Sequence, residues 1–218
     1  MSNDLRERLK DIIRELEDIL DETDQPTGDG VDEPQRPAVV KKLAIVVGHT
    51  QIRPGAIAVA PIDAYEYPWN TDLAKQMKGH ADDAGMAIEI FYRDNVGITG
   101  AYQQAADFGA SAVMELHFNS FESPAATGTE TLWATAASET FAQAAQQAMD
   151  QALGLRSRGV KHRNSGRGFK SLTQLPATPS ILIEPFFGSN PRDCSVAHEK
   201  KSALAQALVG AARRFLVA

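Results

Sequence analysis

The sequence predicts an α/β fold: a mixed, mostly parallel sheet flanked by helices on both faces, preceded by a separate N-terminal helix. Between residues 38 and 218, short apolar runs rich in β-branched residues alternate with longer segments in which apolar residues recur at helical spacing. This alternation is typical of parallel sheets that helices cover on both faces. The chain of 218 residues, 43% of them hydrophobic, is long enough for one sizeable domain and an appendage.

The sequence of residues 1–20 predicts an amphipathic helix that is separate from the main domain. Its apolar residues follow the heptad pattern of a coiled coil; they are Leu5, Leu9, Ile12, Leu16 and Ile19. Because about two heptads are marginal for an isolated helix, we expect it to bury this stripe against a second copy, a partner or its own domain. A homo-oligomer formed through residues 5–20 is one of these expectations.

Residues 21–37 are rich in Asp, Glu, Gly and Pro, and predict a flexible acidic linker. The main domain is therefore expected to span residues 38–218. Residues 1–37 hold twelve acidic and five basic side chains and carry a formal charge of −7, which leaves +1 for the remainder. A nearly neutral main domain gives no indication of a nucleic-acid partner.

Neither a membrane span nor a secretory signal is indicated. No apolar run approaches the roughly 18 residues that a membrane span needs, and the acidic first residues lack the apolar core of a secretory signal. We therefore expect a protein made in the cytoplasm without a signal peptide. The single cysteine, Cys194, excludes an internal disulfide and is interpreted as a structural residue.

Three predicted strands end at residues that can bind a metal or carry a proton. His49 follows the first apolar run after Gly48, which allows a sharp turn; His117 follows a later run, and Glu184 ends a third. In open α/β sheets, ligands bind beyond the carboxyl ends of the strands. We therefore expect these side chains to meet at one edge of the sheet.

These residue types indicate a zinc site. Catalytic zinc needs three protein ligands, commonly imidazole and carboxylate, and an open position for a water whose pKa falls to about 7. We predict that His49, Glu66 and His117 bind zinc, and Asp63 is the alternative to Glu66. Glu184 is predicted to take a proton from the water and pass it to the leaving nitrogen; a simple loop acid is the alternative.

Other polar residues are candidates for substrate binding. Residues 156–170 contain six Arg or Lys and no acid, which indicates an anion site or a solvated loop. His162 lies in this stretch and is a candidate substrate contact. Asn119 would either hydrogen-bond the substrate or hold its own loop.

Two short strands and two helices are also predicted. Residues 57–60 and the vicinity of residues 169–172 are expected to form short strands. Ser138 is expected to cap a long helix that ends near Leu153. A final helix is expected to run from Cys194 or Ser195 to the C-terminus.

The order of these motifs resembles that of the zinc-dependent N-acetylmuramoyl-L-alanine amidases of bacterial and phage cell-wall lysis. The resemblance spans about residues 42–218. Its landmarks are Gly48-His49 with Pro54-Gly55-Ala56 shortly after, Glu66 leading a helix, Leu116-His117-Phe118-Asn119, and Leu182-Ile183-Glu184-Pro185 with the residues that follow.

The resemblance implies a function for each of the four site residues. By it, His49, Glu66 and His117 bind zinc, Glu184 is catalytic, and the enzyme cleaves the amide between the lactyl group of N-acetylmuramic acid and L-alanine of the peptidoglycan stem peptide. The zinc ion would polarise the carbonyl and supply hydroxide. Together with the expected lack of a signal peptide, this favours a lysin of phage or prophage type; a cytoplasmic enzyme that recycles muropeptides is the alternative setting. The alternatives are a zinc carboxypeptidase or peptidase acting on wall peptides, and a peptidoglycan-binding module without turnover.

Three positions depart from the usual pattern of that family. The family's Asp-Pro-Gly-His-Gly-Gly is replaced by the sequence from Val46 to Gln51, and its arginine before the second histidine by Ala101. Its serine two residues before that histidine is replaced by Glu115. Because strand alternation places Glu115 on the same face as His117, it could orient a ligand, contact substrate or compete for the metal.

Overall fold

The structure is a computed structural model that describes residues 40–217. The predicted helix over residues 1–20 and the predicted linker over residues 21–37 lie outside the described residues. The expected self-association through residues 5–20 therefore stays a prediction.

A six-stranded sheet forms the centre of the domain, in the strand order β2-β1-β3-β6-β4-β5. Neighbouring strands are parallel except for the antiparallel pair β4 and β6. The predicted mixed, mostly parallel sheet is therefore confirmed. The strands are β1 (Lys42–Val47), β2 (Ala87–Tyr92), β3 (Ala112–Leu116), β4 (Thr129–Trp133), β5 (Ser157–His162) and β6 (Ser180–Glu184).

Helices cover both faces of this sheet, as predicted. They are α1 (Glu66–Gly79), α2 (Ala81–Ala84), α3 (Gly97–Asp107), α4 (Glu139–Leu153), α5 (Phe169–Leu172), α6 (Pro191–Glu199) and α7 (Lys201–Val217). Alternate residues of β1 separate the two layers, because Leu43 and Ile45 join the core formed with α1, α4 and α7. Ala44 and Val46 face the opposite layer, which contains α3.

The strand order places the candidate site at the middle of one sheet edge. β1, β3 and β6 are consecutive neighbours and run in the same direction. Their carboxyl ends therefore lie side by side, and His49, His117 and Glu184 stand at these ends. Among the described helices, none is long and apolar enough to cross a membrane.

Two short predicted strands are wrong. Residues 57–60 form a loop in which Ile57 makes a single bridge to Tyr65, because the backbone of this loop bonds to Ala64 and Gly188 instead of to a ladder. Residues 169–172 form the helical turn α5, which begins after Gly168 at φ 79°. The basic stretch, interpreted as a loop or anion site, contains the edge strand β5.

Two helix ends also differ from the prediction. The Ser138 hydroxyl does not cap α4; it accepts a hydrogen bond from the Ser180 backbone N–H at 2.9 Å and thereby ties α4 to β6. The C-terminal segment forms two helices instead of one. The first of them starts early because Asn190 accepts hydrogen bonds from the N–H groups of Arg192 and Asp193 at 2.9 and 3.0 Å.

Candidate metal centre and active-site cleft

The two histidines are brought together by the pairing of β1 with β3. Gly48 extends this pairing by donating its N–H to the Leu116 carbonyl at 3.0 Å. A Cβ atom at Gly48 would lie 2.5 Å from Nε2 of His117, so glycine is required here for close approach. The sharp turn expected at Gly48 occurs one residue later, where His49 has φ 66°.

Glu66 is held in place by two backbone groups. It is the first residue of α1 and is 4% exposed. Its Oε2 accepts a hydrogen bond from the Ala56 N–H at 3.0 Å, and its Oε1 accepts one from the Phe118 N–H at 3.1 Å. A Cβ atom at Gly55 would lie 2.5 Å from Oε2, so the loop can pass over the carboxylate only with glycine there.

His49, Glu66 and His117 form a group of three potential ligand atoms that all lie within 4.8 Å of one another. Nε2 of His49 lies 3.0 Å from Oε2 of Glu66, and Nδ1 of His117 lies 3.1 Å from Oε1. Ligand atoms bonded to zinc at 2.0–2.1 Å in a tetrahedral site are about 3.3 Å apart. The three side chains therefore fit a single zinc ion, whereas Asp63 is exposed and does not belong to the group.

The charges in this group reinforce one another. Burial raises the pKa of Glu66, but hydrogen bonds with His117 and His49 outweigh it and bring the pKa to about 2. Burial lowers the pKa of His117, but hydrogen bonds with Glu115 and Glu66 bring it to about 9. A buried carboxylate that holds the cationic imidazole of His117 in the absence of metal is suited to a divalent cation, which binds imidazole in its neutral form.

Glu184 ends β6 with an unpaired carboxylate oxygen. The residue is 3% exposed, and its Oε2 finds no hydrogen-bond partner among the described residues. Its Oε1 lies 3.4 Å from a guanidinium nitrogen of Arg167. Burial raises the pKa of Glu184 to about 7, although the charges of His117 and Arg167 oppose the rise. A carboxyl group with a pKa near neutrality is suited to proton transfer.

One open cleft of about 340 Å³ contains all four of these side chains. Basic residues contribute to its wall, namely Arg93, Arg167 and Lys170. The last two belong to the basic stretch that the sequence analysis interpreted as either an anion site or a solvated loop. The structure thus places part of that stretch beside the candidate metal centre.

The three predicted substrate contacts differ in their positions. Asn119 uses its amide within the protein: Nδ2 donates to Glu130 at 3.1 Å, and Oδ1 accepts from the Ser120 N–H at 2.9 Å and from Arg167 at 3.1 Å. This arrangement holds its own loop. His162 is exposed, packs against Trp133 with ring centroids 4.5 Å apart, and does not contribute to the cleft wall formed by the described residues.

Glu115, the third of these residues, is completely buried. Burial raises its pKa, but the charge of Arg93 and a hydrogen bond with His117 bring it to about 2. Its Oε1 lies 2.7 Å from Nε2 of His117, and Tyr102 donates a hydrogen bond to its Oε2 at 2.9 Å. Glu115 therefore contacts a candidate ligand directly.

Sequence reasoning missed two charged residues of the cleft region. Arg93 directly follows β2 and forms an ion pair with Glu115. Its place just past a strand is the same signal that identified His49. Glu130 lies opposite Glu184 in the β4–β6 pair and binds Arg158 and Arg167; strand alternation alone did not reveal it, because the partner of β4 was unknown.

The fold is α/β, and its site brings together three side chains that could hold one metal ion, of the types that metal-dependent hydrolases use. A family model described as N-acetylmuramoyl-L-alanine amidase matches residues 43–214. The chain therefore belongs to the N-acetylmuramoyl-L-alanine amidase family, a family of cell-wall hydrolases, and the resemblance inferred from its motifs is confirmed.

Individual relatives agree with this assignment. The N-acetylmuramoyl-L-alanine amidase LytC of Bacillus subtilis (strain 168) is 27% identical over 168 residues, which cover 74% of this chain and 32% of LytC. The chain thus spans about a third of the length of that relative.

Solved structures show the same fold. The catalytic domain of CwlV, an N-acetylmuramoyl-L-alanine amidase from Bacillus (Paenibacillus) polymyxa var. colistinus, superposes with a TM-score of 0.71 at 22% identity, covering 82% of this chain and 99% of that domain. An N-acetylmuramoyl-L-alanine amidase from Clostridium difficile 630 superposes with a TM-score of 0.70 at 21% identity, covering 82% and 98%.

Proposed function

We propose that this protein hydrolyses the amide bond between the lactyl group of N-acetylmuramic acid and L-alanine of the peptidoglycan stem peptide, with zinc as its cofactor. The observation that carries the proposal is the meeting of His49, Glu66 and His117 in one cleft with the buried carboxylate of Glu184. Membership of the amidase family supports the choice of bond.

His49 Nε2, the Glu66 carboxylate and His117 Nδ1 are the groups that would hold the ion. The chemistry that zinc supplies when bound in such a site is polarisation of the scissile carbonyl and a fall in the pKa of water to about 7. Glu66 would neutralise one positive charge of the ion. Its two backbone hydrogen bonds keep the carboxylate in one orientation, so little reorganisation is needed on binding.

Glu184 would act as general base and then as general acid. Its Oε2 lacks a hydrogen-bond partner among the described residues, and the residue contributes to the cleft wall, so this oxygen would accept the proton that water releases on attack. The same oxygen would then return the proton to the leaving nitrogen of L-alanine, which must be protonated before it departs. Arg167, 3.4 Å from Oε1, would keep the carboxylate turned so that Oε2 faces the reacting groups.

The basic wall of the cleft would bind the peptide side of the substrate. Stem peptides carry free carboxylates, and Lys170 and Arg167 both line the cleft with exposed side chains. Charge-assisted hydrogen bonds of this kind are about twice as strong as neutral ones. They would orient the peptide without taking part in bond cleavage.

Product analysis tests the proposal. Purified protein is incubated with peptidoglycan, with and without a chelator, and the new termini are identified. We expect intact stem peptides that begin with L-alanine, no release in chelator, and recovery when zinc is added. Release of a terminal amino acid would instead indicate a carboxypeptidase, and tight zinc binding without turnover in wild type and in Glu184→Gln would indicate a binding module.

The biological setting proposed here is lysis of the bacterial wall by an enzyme of phage or prophage endolysin type. The support is membership of the N-acetylmuramoyl-L-alanine amidase family. Lysis of whole cells from inside, on co-expression with a membrane pore, would support it. Lysis at the same rate without the pore would contradict it.

A further inference from the structure

We propose that Glu115 is a positioning residue for the candidate metal centre: it holds the His117 imidazole so that Nδ1, not Nε2, is presented to the ion. This role rests on the proposed zinc site and concerns a residue that does not itself contact substrate. It commits His117 to one tautomer, with its proton on Nε2.

The two ring nitrogens of His117 face two different carboxylates. Nδ1 lies 3.1 Å from Oε1 of Glu66, on the side of the ring that faces the other candidate ligands. Nε2 lies 2.7 Å from Oε1 of Glu115. A carboxylate acceptor at one nitrogen places the proton there and leaves the lone pair of the other nitrogen free for a metal.

The ring has little freedom to choose another orientation. Its centroid lies 4.9 Å from that of His49 in an edge-to-face arrangement with an interplanar angle of 74°. On the Nε2 side the backbone of Gly48 approaches so closely that a Cβ atom would lie 2.5 Å from this nitrogen. A flip of the His117 ring would break the contact between Nε2 and Glu115.

Glu115 is itself fixed by three neighbouring elements. Arg93, at the end of β2, forms an ion pair with Oε1, and Tyr102 of α3 donates to Oε2 at 2.9 Å. Ser171 of α5 donates to Oε1 at 3.3 Å and also receives a hydrogen bond from Arg93 at 2.9 Å. Burial of an unpaired carboxylate is costly, and this set of partners offsets that cost while leaving Oε1 in contact with His117.

This geometry separates a positioning role from the two other roles that the sequence allowed. Glu115 contacts the nitrogen of His117 that does not face Glu66, so it is absent from the group of potential ligands. Glu115 contributes to the cleft wall, but it has no exposed surface and both of its carboxylate oxygens are already bound by protein groups, so a substrate contact is not favoured. Loss of such an outer contact to a metal-binding histidine typically lowers metal affinity about 10- to 100-fold.

Zinc affinity measured on the full chain tests this role without relying on turnover. Competition with a chromophoric chelator gives the dissociation constant of zinc for wild type and for Glu115→Gln, which keeps the shape of the side chain and removes its charge. We expect an increase of about 10- to 100-fold in the variant. Glu115→Asp keeps the charge but has a shorter side chain. Its dissociation constant for zinc should lie between those of wild type and Glu115→Gln.

Asp193→Asn is the matched control. Asp193 is also completely buried and also accepts several hydrogen bonds, from Thr127, Gly128 and Phe187, but it does not touch the candidate ligands. We expect it to lower the unfolding temperature of the metal-free protein and to leave zinc affinity within about twofold. If Glu115→Gln behaved in the same way as this control, Glu115 would be a structural residue only.

Nitrogen-15 NMR of the zinc-loaded wild type gives a second test that needs no variant to fold. The expected spectrum shows His117 with zinc at Nδ1 and hydrogen at Nε2. Zinc at Nε2 would overturn the role of Glu115 while leaving the zinc site intact. Failure of the wild type to bind zinc at all would instead overturn the proposed function, so the two failures are distinguishable.

Discussion

Replacement of Glu184 by Gln should make the metal-free protein more stable at alkaline pH. Burial raises the pKa of Glu184 from 4.5 to about 7 in the folded state, so folding favours the protonated form. Below about pH 4.5 the group is protonated in both the folded and the unfolded state. As pH rises, ionisation of this carboxylate increasingly lowers the free energy of unfolding. A difference of about 2.5 pKa units corresponds to roughly 3 kcal/mol when the group is fully ionised.

Urea unfolding in the presence of a chelator, at pH 5 and at pH 8, measures this effect. Gln does not titrate, so the free energy of unfolding of Glu184→Gln relative to wild type should increase by about 2 to 3 kcal/mol between the two pH values. Glu122→Gln, which changes an exposed glutamate, is the control and should show no such increase. An equal difference at pH 5 and pH 8 for Glu184→Gln would show that this carboxyl group ionises normally, and the argument for its role as a neutral-pH base would fail.

Three further predictions follow from the cleft and the termini. Gly48→Ala should destabilise the protein by about 1 to 3 kcal/mol in thermal unfolding and weaken zinc binding, because its Cβ would meet the His117 imidazole. The control is Gly79→Ala, where a Cβ meets nothing within 4 Å. It should be neutral or slightly stabilising. Lys170→Ala should raise KM for muropeptides about fivefold, or roughly 1 kcal/mol, with kcat nearly unchanged; Lys161→Ala, outside the cleft wall, should leave KM unchanged in the same assay. Deletion of residues 1–37 should convert an oligomer into a monomer, as judged from the mass in solution measured by light scattering. A monomer both with and without these residues would contradict self-association.

Elements with a strong local signal were predictable from the sequence. The run Leu43–Val47 is apolar at every position because both faces of β1 are buried, and this pattern needs no knowledge of the partners. β3 and β6 are also buried along their whole length and are apolar except at Glu115, Ser180 and Glu184. The common direction of the three strands brings His49, His117 and Glu184 to one edge. The failure at residues 57–60 reflects a contact with a distant segment, because Val59 bonds to Gly188. The failure at residues 169–172 is local, because these residues close a helical turn after Gly168.

The sequence by itself determined the central strands β1, β3 and β6, the residues at which they end and the residue types that a metal-dependent amidase needs, because a continuous apolar run is a local property. Only the tertiary structure decided which nitrogen of His117 faces Glu66, that Glu115 is buried against the other nitrogen, and that Arg167 stands beside Glu184. Those facts depend on distances between segments that are far apart in the chain. The physical reason is that hydrogen bonds and ion pairs act over about 3 Å, a scale that spacing along the sequence does not specify.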